Sequence, residues 1–592
     1  MNDEGDGWYG WTIEDATSCN IIFSNNGNSK TADLYRTFGI WWYKDATWTN
    51  YNPEDPASIP PTTTTTTIYT PTTTTITTYT TDPNFAGMNV WFLNDYDKSN
   101  AFVDIMKHSR PWRNADWNAD VSTDSYFWPT QDCSTVFFAG LPAHYIDGTY
   151  KLFFEGQADV SIEWTGGTVT NKVYNTETNI TSADVTIKIN VITDAGKIVL
   201  RNTKRTSTSA TNTGIKNVRL YKPGYPTDDS KVFTTEFLNA MSGCKVIRFM
   251  DWFSANNSSV KTWAERGLPG YANQNAPNGP YTVNYPQLET YTYTSKGGAL
   301  EHMIQLANEL NSDIWINIPV LADDEYIEKL SFAIKYGTDG INPYTSVQTN
   351  PLYPPLESNL KVYIEYANEV WNSAPGFMCF HVVRDIVSKL PSDNPIFSDG
   401  MTVENDIYQL MWKYPLYRLI EISKILKVQF GDGEMITRIR PIFATWQGDG
   451  HASLSIPLTW ADKYYRIGQN IQIKDLIYGA GGSAYYGVTT PDTNFDNFFA
   501  TTNYPDTNFL RNNAKDSSWA YAYGLKRVAY EGGLGLDIYD SNWDLIFPSE
   551  STQLALSADP RMQDIIEKTH IAWSQTGGDE LIIVLPALRS GR

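Results

Sequence analysis

The stretch that decides the fold is KVYIEYANEVWN, residues 361–372. Its first half alternates β-branched or aromatic residues with other types, which predicts a strand that runs into a loop at Asn368. Glu369 then stands at the C-terminal end of that strand. Most glutamates lie in surface turns, but this one follows an Asn and an apolar strand, and Trp371 and Asn372 come soon after it. We therefore predict a chemical role for Glu369.

A second carboxylate occupies a similar position far downstream. The stretch LKRVAYEGG, residues 525–533, predicts another strand that ends near Glu531. Asn368-Glu369 after one strand and Glu531 after another resemble the clan A glycoside hydrolases, the superfamily that includes many cellulases and mannanases. The resemblance implies a (β/α)8 TIM barrel, in which the catalytic residues lie at the C-terminal ends of the strands. It also implies that Glu369 is the acid/base and Glu531 the nucleophile.

Eight strand-like segments alternate with helix-like ones, as such a barrel requires. The predicted strands are 86–91, 245–252, 313–319, 361–368, 436–445, 475–480, 526–531 and 580–586. Helices are predicted at 101–108, 300–310, 404–428 and 560–574. This count places Glu369 after the fourth strand and Glu531 after the seventh, which are the positions that the resemblance implies.

A different pattern interrupts the barrel. Short alternating segments separated by Gly, Asn and Thr fill residues 120–225, which is typical of a β-sandwich. We predict an inserted sandwich that serves as a carbohydrate-binding or packing module. It lies between the first strand and helix of the barrel, residues 84–119, and the remainder of the barrel, residues 226–592.

The N-terminal region has two parts. Residues 1–60 are rich in aromatics, Asn, Asp and Gly, and they predict a β-rich module or an interaction arm. Residues 61–83 are a Thr-rich tract with the composition of an extended linker or an O-glycosylated stalk. Thr, Ile and Tyr also favour strands, so the tract suits β structure held against another domain or another copy. Self-association through residues 1–83 follows as a prediction.

Composition excludes some partners and favours others. A formal charge of -21 and a pI near 4.7 provide no basic footprint for a nucleic acid. No run approaches 18 apolar residues, so no membrane span is predicted. The 20 Trp and 37 Tyr residues supply flat faces for the C–H faces of sugars, although β-rich cores also use aromatics. The predicted partner is therefore a polysaccharide or glycan.

The predicted location is extracellular or on a particle surface. The N-terminus, MNDEGDGWYGW, is acidic and is not a signal peptide, so export requires another route or a leader already removed. Asn179, Asn256 and Asn257 open triplets that accept glycans in a eukaryotic secretory pathway.

The resemblance implies roles for further residues. Asn368 would hydrogen-bond the sugar 2-hydroxyl, and Arg248 matches a position where an Arg keeps the nucleophile ionised. Tyr485 or Tyr486 would hydrogen-bond the same nucleophile, and Tyr486 is preferred. Retaining hydrolysis needs the two carboxyl groups about 5 to 5.5 Å apart. Three more residues at strand ends are predicted to line the cleft, with core packing as the alternative for the tryptophans: Asn317, Trp371 and Trp446.

Two features depart from the family. ELIIVLPAL at 580–588 has no Trp, although clan members usually place a sugar platform on the eighth strand, and no clear His follows the third strand. The chain ends at Arg592, soon after the eighth strand, and we expect a C-terminal piece to be missing or cleaved.

No cofactor and no metal are predicted. Cys19, Cys133, Cys244 and Cys379 lack metal-ligand spacing, which leaves room for one or two disulfides. NDYDKSN at 94–100 resembles part of a calcium loop but lacks its Gly and distal Glu, so a solvated turn is predicted instead.

Two functions from different classes follow. The first is a retaining glycoside hydrolase that acts on or binds polysaccharide through Asn368, Glu369 and Glu531. The second is a structural or adhesive subunit of an extracellular filament or virion surface, which keeps the barrel as a scaffold. A protein of the second class assembles through residues 1–83, whereas a plain hydrolase stays monomeric without them.

Overall fold

The computed structural model describes residues 86–584 with gaps at 142, 190–194, 284–287, 375, 447–449, 489–493, 501–503, 537, 540–544, 548 and 579–581, together with six short strands before residue 50. The chain divides into two compact units. The larger unit contains residues 87–443 and 475–477, and the smaller unit contains residues 1–86, 444–474 and 478–592.

The described part of the N-terminal region consists of short antiparallel strands. They are β1 (Asn2–Gly5), β2 (Trp8–Gly10), β3 (Ser18–Ile21), β4 (Leu34–Thr37), β5 (Trp42–Lys44) and β6 (Thr47–Thr49). One sheet has the order β1-β2-β5-β6, and β3 pairs with β4. The Thr-rich tract at 61–83 lies outside the described residues, and self-association through residues 1–83 stays a prediction.

After β7 (Ala86–Asn89), the larger unit forms two antiparallel sheets. Their strands are β8 (Arg113–Asn114), β9 (Cys133–Phe137), β10 (Gly148–Glu155), β11 (Gln157–Glu163), β12 (Gly166–Asn175), β13 (Ile180–Lys188), β14 (Gly196–Lys204) and β15 (Lys216–Tyr221). One sheet has the order β12-β13-β10-β15 and the other β11-β14-β9-β8. Phe154, Val185 and Leu200 come from different strands and enter one shared core, which is the packing of a β-sandwich.

Five parallel strands form the centre of the larger unit. They are β7, β16 (Val246–Arg248), β19 (Asp313–Ile318), β20 (Val362–Tyr366) and β21 (Ile439–Thr445), paired in this order, and a hairpin of β17 (Tyr281–Val283) and β18 (Glu289–Tyr291) precedes β19. The helices are α1 (Thr235–Met241), α2 (Leu300–Leu310), α3 (Asp324–Tyr336), α4 (Met378–Lys389) and α5 (Val403–Phe430). Parallel strands that alternate with helices fit part of a barrel.

The smaller unit continues the alternation of helices and parallel strands. Its helices are α6 (Ala452–Ala461), α7 (Phe495–Phe498), α8 (Thr507–Ala522), α9 (Glu550–Ala558) and α10 (Arg561–Gln575). Its strands are β22 (Gly479–Gly482), β23 (Ala484–Gly487), β24 (Lys526–Arg527), β25 (Ala529–Gly535), β26 (Ile538–Tyr539), β27 (Leu545–Phe547) and β28 (Ile582–Val584). β22 pairs with β24, and β25 lies between β23 and β28. Closure of eight strands into one complete barrel stays a prediction.

The first predicted helix, over 101–108, is wrong in extent. The structure has a single 3-10 turn at Ile105–His108. Residues 102 and 104 form isolated bridges with Phe233 and Tyr221, and the Asp104 carboxylate accepts from the Leu220 N–H at 2.9 Å. Because this backbone is already paired with neighbouring segments, the helix cannot begin before residue 105.

The turn at 94–100 is solvated only in part: Tyr96 is 50% exposed and Lys98 is exposed, whereas the two aspartates are buried. Asp95 and Asp97 are each 3% exposed. Asp95 pairs with Arg110 at 2.7 Å, and its carbonyl accepts from the Ala139 N–H at 2.8 Å, so the turn packs against the sandwich. No group of three or more His, Cys, Asp or Glu side chains within the described ranges is arranged to hold a metal ion.

Two further findings concern cysteines and membrane spans. Cys133, Cys244 and Cys379 are free thiols, and the side chain of Cys19 lies outside the described residues. No helix in the described part of the chain is long and apolar enough to cross a lipid bilayer.

Candidate active site

Asn368 and Glu369 occupy a strained loop directly after β20. Ala367 has a φ of 59° and Glu369 a φ of 39°, in the left-handed region that residues with side chains rarely adopt. Such a backbone costs of order 1–3 kcal/mol per residue and clusters at functional sites. The Asn372 N–H donates to the Glu369 carbonyl at 2.8 Å, and the Asn372 amide donates to Glu369 Oε2 at 2.9 Å. The partly exposed carboxylate is thereby oriented, with Trp371 half-buried beside it in sequence.

A buried ion pair anchors this loop. Arg248 donates through Nε and Nη2 to the Glu365 carboxylate at 2.9 to 3.1 Å, and the two side chains are 0% and 1% exposed. Arg248 Nη2 also donates to Asn368 Oδ1 at 2.7 Å, while Asn368 Nδ2 donates to Asn256 Oδ1 at 2.8 Å. Both ends of the Asn368 amide are therefore fixed, and Asn368 itself is only 2% exposed.

Two more donors complete the surroundings of Glu365. Trp315 Nε1 and Asn317 Nδ2 donate to Glu365 Oε2 at 2.8 and 2.9 Å. Asn317 Nδ2 also donates to the Ala367 carbonyl at 2.9 Å. Asn317 is fully buried, so it supports the loop and does not line a cleft as the sequence suggested. A buried charge is tolerated only with such a full set of hydrogen bonds.

Glu365 is a buried residue of the candidate site that the sequence prediction missed. It alternates with the apolar positions of β20, where a solvent-facing side chain is the usual expectation. Arg248 nevertheless indicated a buried carboxylate. It lies within an apolar strand, and a buried Arg requires a carboxylate partner. Arg248 was predicted to act on the nucleophile, and in the larger unit it bonds Glu365 and Asn368.

Glu531 lies in β25 of the smaller unit and is 5% exposed. The Tyr485 hydroxyl donates to Glu531 Oε2 at 2.9 Å. Tyr486 was the preferred partner, but its hydroxyl lies 2.6 Å from Thr569 Oγ1, and burial raises its pKa to about 12. Neighbouring residues of a strand point to opposite faces, so the side chain of only one of these tyrosines faces the carboxylate.

Tyr485 also lines a cleft of 510 Å³ within the smaller unit. Its aromatic lining consists of Trp446, Tyr485, Tyr486, Tyr504 and Phe509, and its polar lining includes His451, Asp506, Asn508, Asn512 and Asn513. Trp446 is 42% exposed, and its ring centroid lies 5.1 Å from that of His451. Aromatic walls with a few polar groups are typical of small-ligand sites. None of the described lining residues is Lys or Arg.

A second buried ion pair bonds residues at or next to the lining of this cleft. Asp516 of α8 is 1% exposed and accepts from the N–H groups of Gly450 and Gly482, each at 2.9 Å. Arg527 pairs with Asp516 at 3.3 Å and donates to the Gly482 carbonyl at 2.9 Å. One carboxylate therefore fixes the residues that precede His451 and Ser483, which both line the cleft. These residues carried no motif and were not predicted from the sequence.

Comparison with solved structures gives two distant neighbours among its matches. No protein-family model matches the chain, and no curated protein matches it. GH10 from Paenibacillus barcinonensis is 11% identical over 49% of this chain and 69% of its own, with a TM-score of 0.22. The hyperthermostable endo-1,4-β-D-mannanase from Thermotoga petrophila RKU-1 is 11% identical over 48% of this chain and 82% of its own, with a TM-score of 0.19. A likeness this distant carries no argument about the chemistry of this chain.

Proposed function

We propose that this chain is a retaining glycoside hydrolase on a (β/α)8 barrel, which acts on a polysaccharide with Glu369 as acid/base and Glu531 as nucleophile. The observation that carries the proposal is the hydrogen bond from Tyr485 to Glu531 at the wall of an aromatic cleft. A carboxylate held by a phenol beside exposed rings suits attack on a sugar that stacks on those rings. Because polysaccharides lie largely outside cells, we propose that the protein acts outside the cell or on a particle surface.

The proposed reaction has two balanced steps. In the first, the Glu369 carboxylic acid protonates the glycosidic oxygen while a Glu531 oxygen attacks the anomeric carbon. The glycosidic bond breaks and a glycosyl ester forms on Glu531. In the second step, the Glu369 carboxylate takes a proton from a water molecule that attacks the same carbon and releases Glu531. Both steps require the two carboxyl groups about 5 to 5.5 Å apart.

The loop after β20 supports the role of Glu369. An acid/base must reach solvent in the second step, and Glu369 is partly exposed while its neighbours are buried. The bond from Asn372 at 2.9 Å orients the carboxyl group without enclosing it. Pre-organisation of this kind lowers the cost of positioning in the transition state.

The test is hydrolysis by the full chain against a panel of cellulose, mannan, xylan and aryl β-glycosides. Glu531→Gln should abolish turnover, because no other group forms the ester. Glu369→Gln should lower kcat by about 10²- to 10⁴-fold, the usual contribution of general acid–base catalysis, and added azide should restore product as a glycosyl azide. Tyr485→Phe should lower kcat more than Tyr486→Phe, since only the Tyr485 hydroxyl bonds Glu531.

A covalent trap gives an independent readout. A 2-deoxy-2-fluoroglycoside slows both steps and should leave a mass adduct on the peptide that contains Glu531. The matched control is Glu325→Gln, which changes a surface glutamate paired with Lys329 at 2.8 Å. If the folded chain hydrolyses none of the panel, or if Glu531→Gln hydrolyses as fast as Glu325→Gln, the proposal is wrong.

A further inference from the structure

Two tryptophans meet at one surface of the sandwich. Trp117 lies in the turn after β8, and Trp164 lies in the short connection between β11 and β12. Their ring centroids are 5.5 Å apart and their planes meet at 83°. Trp164 is 48% exposed, and Trp117 is partly exposed. The two indoles therefore form a corner at the protein surface.

The backbone holds both indoles in an unfavourable conformation. Trp117 has a φ of 60° and Trp164 a φ of 66°. Left-handed turn positions favour Gly, Asn and Asp, and a bulky side chain there is a rare outlier. The turn of Trp117 is enforced by Asn114, whose side-chain oxygen accepts from the Asn118 N–H at 3.0 Å. Burial does not explain Trp164, because about half of its surface stays in water, whereas binding sites do retain such strain.

A cationic side chain also lies over each indole ring. Lys197 Nζ lies 4.9 Å from the ring centroid of Trp164, and its 5% exposed side chain pairs with Glu163 at 2.7 Å. Arg113 Cζ lies 5.5 Å from the ring centroid of Trp117. Contacts between cations and ring faces fix the orientation of the rings. The corner is thus ordered before any ligand arrives.

The charges around the corner are balanced. The three pairs are Arg113 with Asp120 at 3.6 Å, Lys197 with Glu163 at 2.7 Å and Arg201 with Asp116 at 2.6 Å. A rim of this kind has no net attraction for a polyanion or a polycation, but its carboxylates accept hydrogen bonds from hydroxyl groups. This combination of ring faces and neutral hydrogen-bonding rim matches an uncharged sugar.

We infer that Trp117 and Trp164 form a platform that binds the pyranose rings of a neutral glycan. The C–H face of a sugar lies against exposed indole, and its hydroxyls bond the rim. The inference goes beyond the proposed hydrolysis and does not depend on it, since it assigns a binding site to the sandwich.

The test is isothermal titration calorimetry of the full chain with cellohexaose, mannohexaose and xylohexaose. Trp446→Ala removes an aromatic wall of the cleft and serves as the background, so that cleft binding does not hide the platform. In that background, Trp164→Asn should lower the association constant for at least one hexaose about tenfold or more, the range for loss of a stacked ring. Asn suits left-handed backbone, so this variant keeps the turn. Tyr293→Asn, at an aromatic that is 87% exposed, is the control.

The outcomes separate the platform from the hydrolase. Binding that survives Trp446→Ala and falls with Trp164→Asn but not with Tyr293→Asn supports the platform, whether or not Glu531 acts as a nucleophile. If no hexaose binds, or if Trp164→Asn binds like its parent, the inference is overturned. It is also overturned if sedimentation velocity shows a dimer that Trp164→Asn abolishes while no hexaose binds, because the corner is then a contact between copies.

Discussion

Replacing Glu365 with Gln tests whether the buried ion pair holds the candidate site. Glu365 Oε2 accepts from Arg248, Trp315 and Asn317, and Oε1 accepts from Arg248 Nη2 at 3.1 Å. In Glu365→Gln the amide oxygen should take the position of Oε2, which accepts the most hydrogen bonds. The new NH2 group then takes the position of Oε1 and faces an N–H of the Arg248 guanidinium. Breaking a buried pair in this way costs about 3–5 kcal/mol, because a charge is left buried without its counter-ion. Asn368 shares the guanidinium and should lose its fixed orientation.

The assay is denaturant unfolding of the full chain, with hydrogen exchange of peptides from β19 and β20 to localise the effect. Glu325→Gln is the matched control, because its surface pair with Lys329 has side chains 62% and 35% exposed. A surface i,i+4 pair contributes about 0.3–0.5 kcal/mol, so the control should change little. If Glu365→Gln costs less than about 1 kcal/mol, and exchange near Asn368 stays slow, the anchoring role is refuted.

Two further predictions concern stability. Burial raises the pKa of Asp97 to about 7, so the folded chain holds a proton that the unfolded chain releases near 3.8. Asp97 therefore contributes stability that falls as pH rises from about 4 to 7, whereas His108 and His302, whose pKa values burial lowers to about 3, contribute stability that rises with pH. The stability of the parent chain relative to Asp97→Asn should thus fall by up to about 4 kcal/mol between these pH values in unfolding curves, while the exposed control Asp393→Asn should follow the parent. Gly481→Ala should cost about 1–3 kcal/mol in denaturant unfolding, because a Cβ there lies 2.2 Å from Arg527 Nη1, whereas Gly487→Ala points into open space and should be neutral. A stability difference between the parent chain and Asp97→Asn that does not change with pH, or equal effects of the two glycine changes, would contradict these predictions.

Some of the parallel strands could be predicted from the sequence because they lie in apolar runs, whereas β22 (GAGG) and β24 (KR) do not. The strand predicted at 313–319 is β19, Asp313–Ile318, and all of its residues are buried. Such continuous burial is typical of strands covered on both faces. β12 has no such signal, because GGTVTNKVYN is polar and largely exposed on both faces. It forms a hairpin with β13, and that pairing cannot be inferred from the polar sequence of β12 itself.

The candidate site was predictable only in part. The Asn368-Glu369 motif could be located, because it combines a strand end with chemically active side chains. The choice between Tyr485 and Tyr486 depends on which of the two side chains faces Glu531. Because the two residues are identical and adjacent, the sequence does not indicate which one does. Glu365 escaped for a related reason, since a polar residue in a strand normally indicates solvent, whereas here it faces a buried Arg.

The two buried ion pairs each fix the position of an amide side chain. Arg248 bonds a buried Glu365 and the side-chain oxygen of Asn368, and Arg527 pairs with Asp516 and donates to the side-chain oxygen of Asn513. Buried ion pairs are poor stabilisers, and apolar replacements of similar volume are often neutral or better by about 1–4 kcal/mol. Such a replacement at either pair would keep the fold but remove the polar contacts to Asn368 or Asn513. Because each pair fixes an amide beside a strained loop or a cleft, its role is to orient polar groups, and stability alone does not account for it.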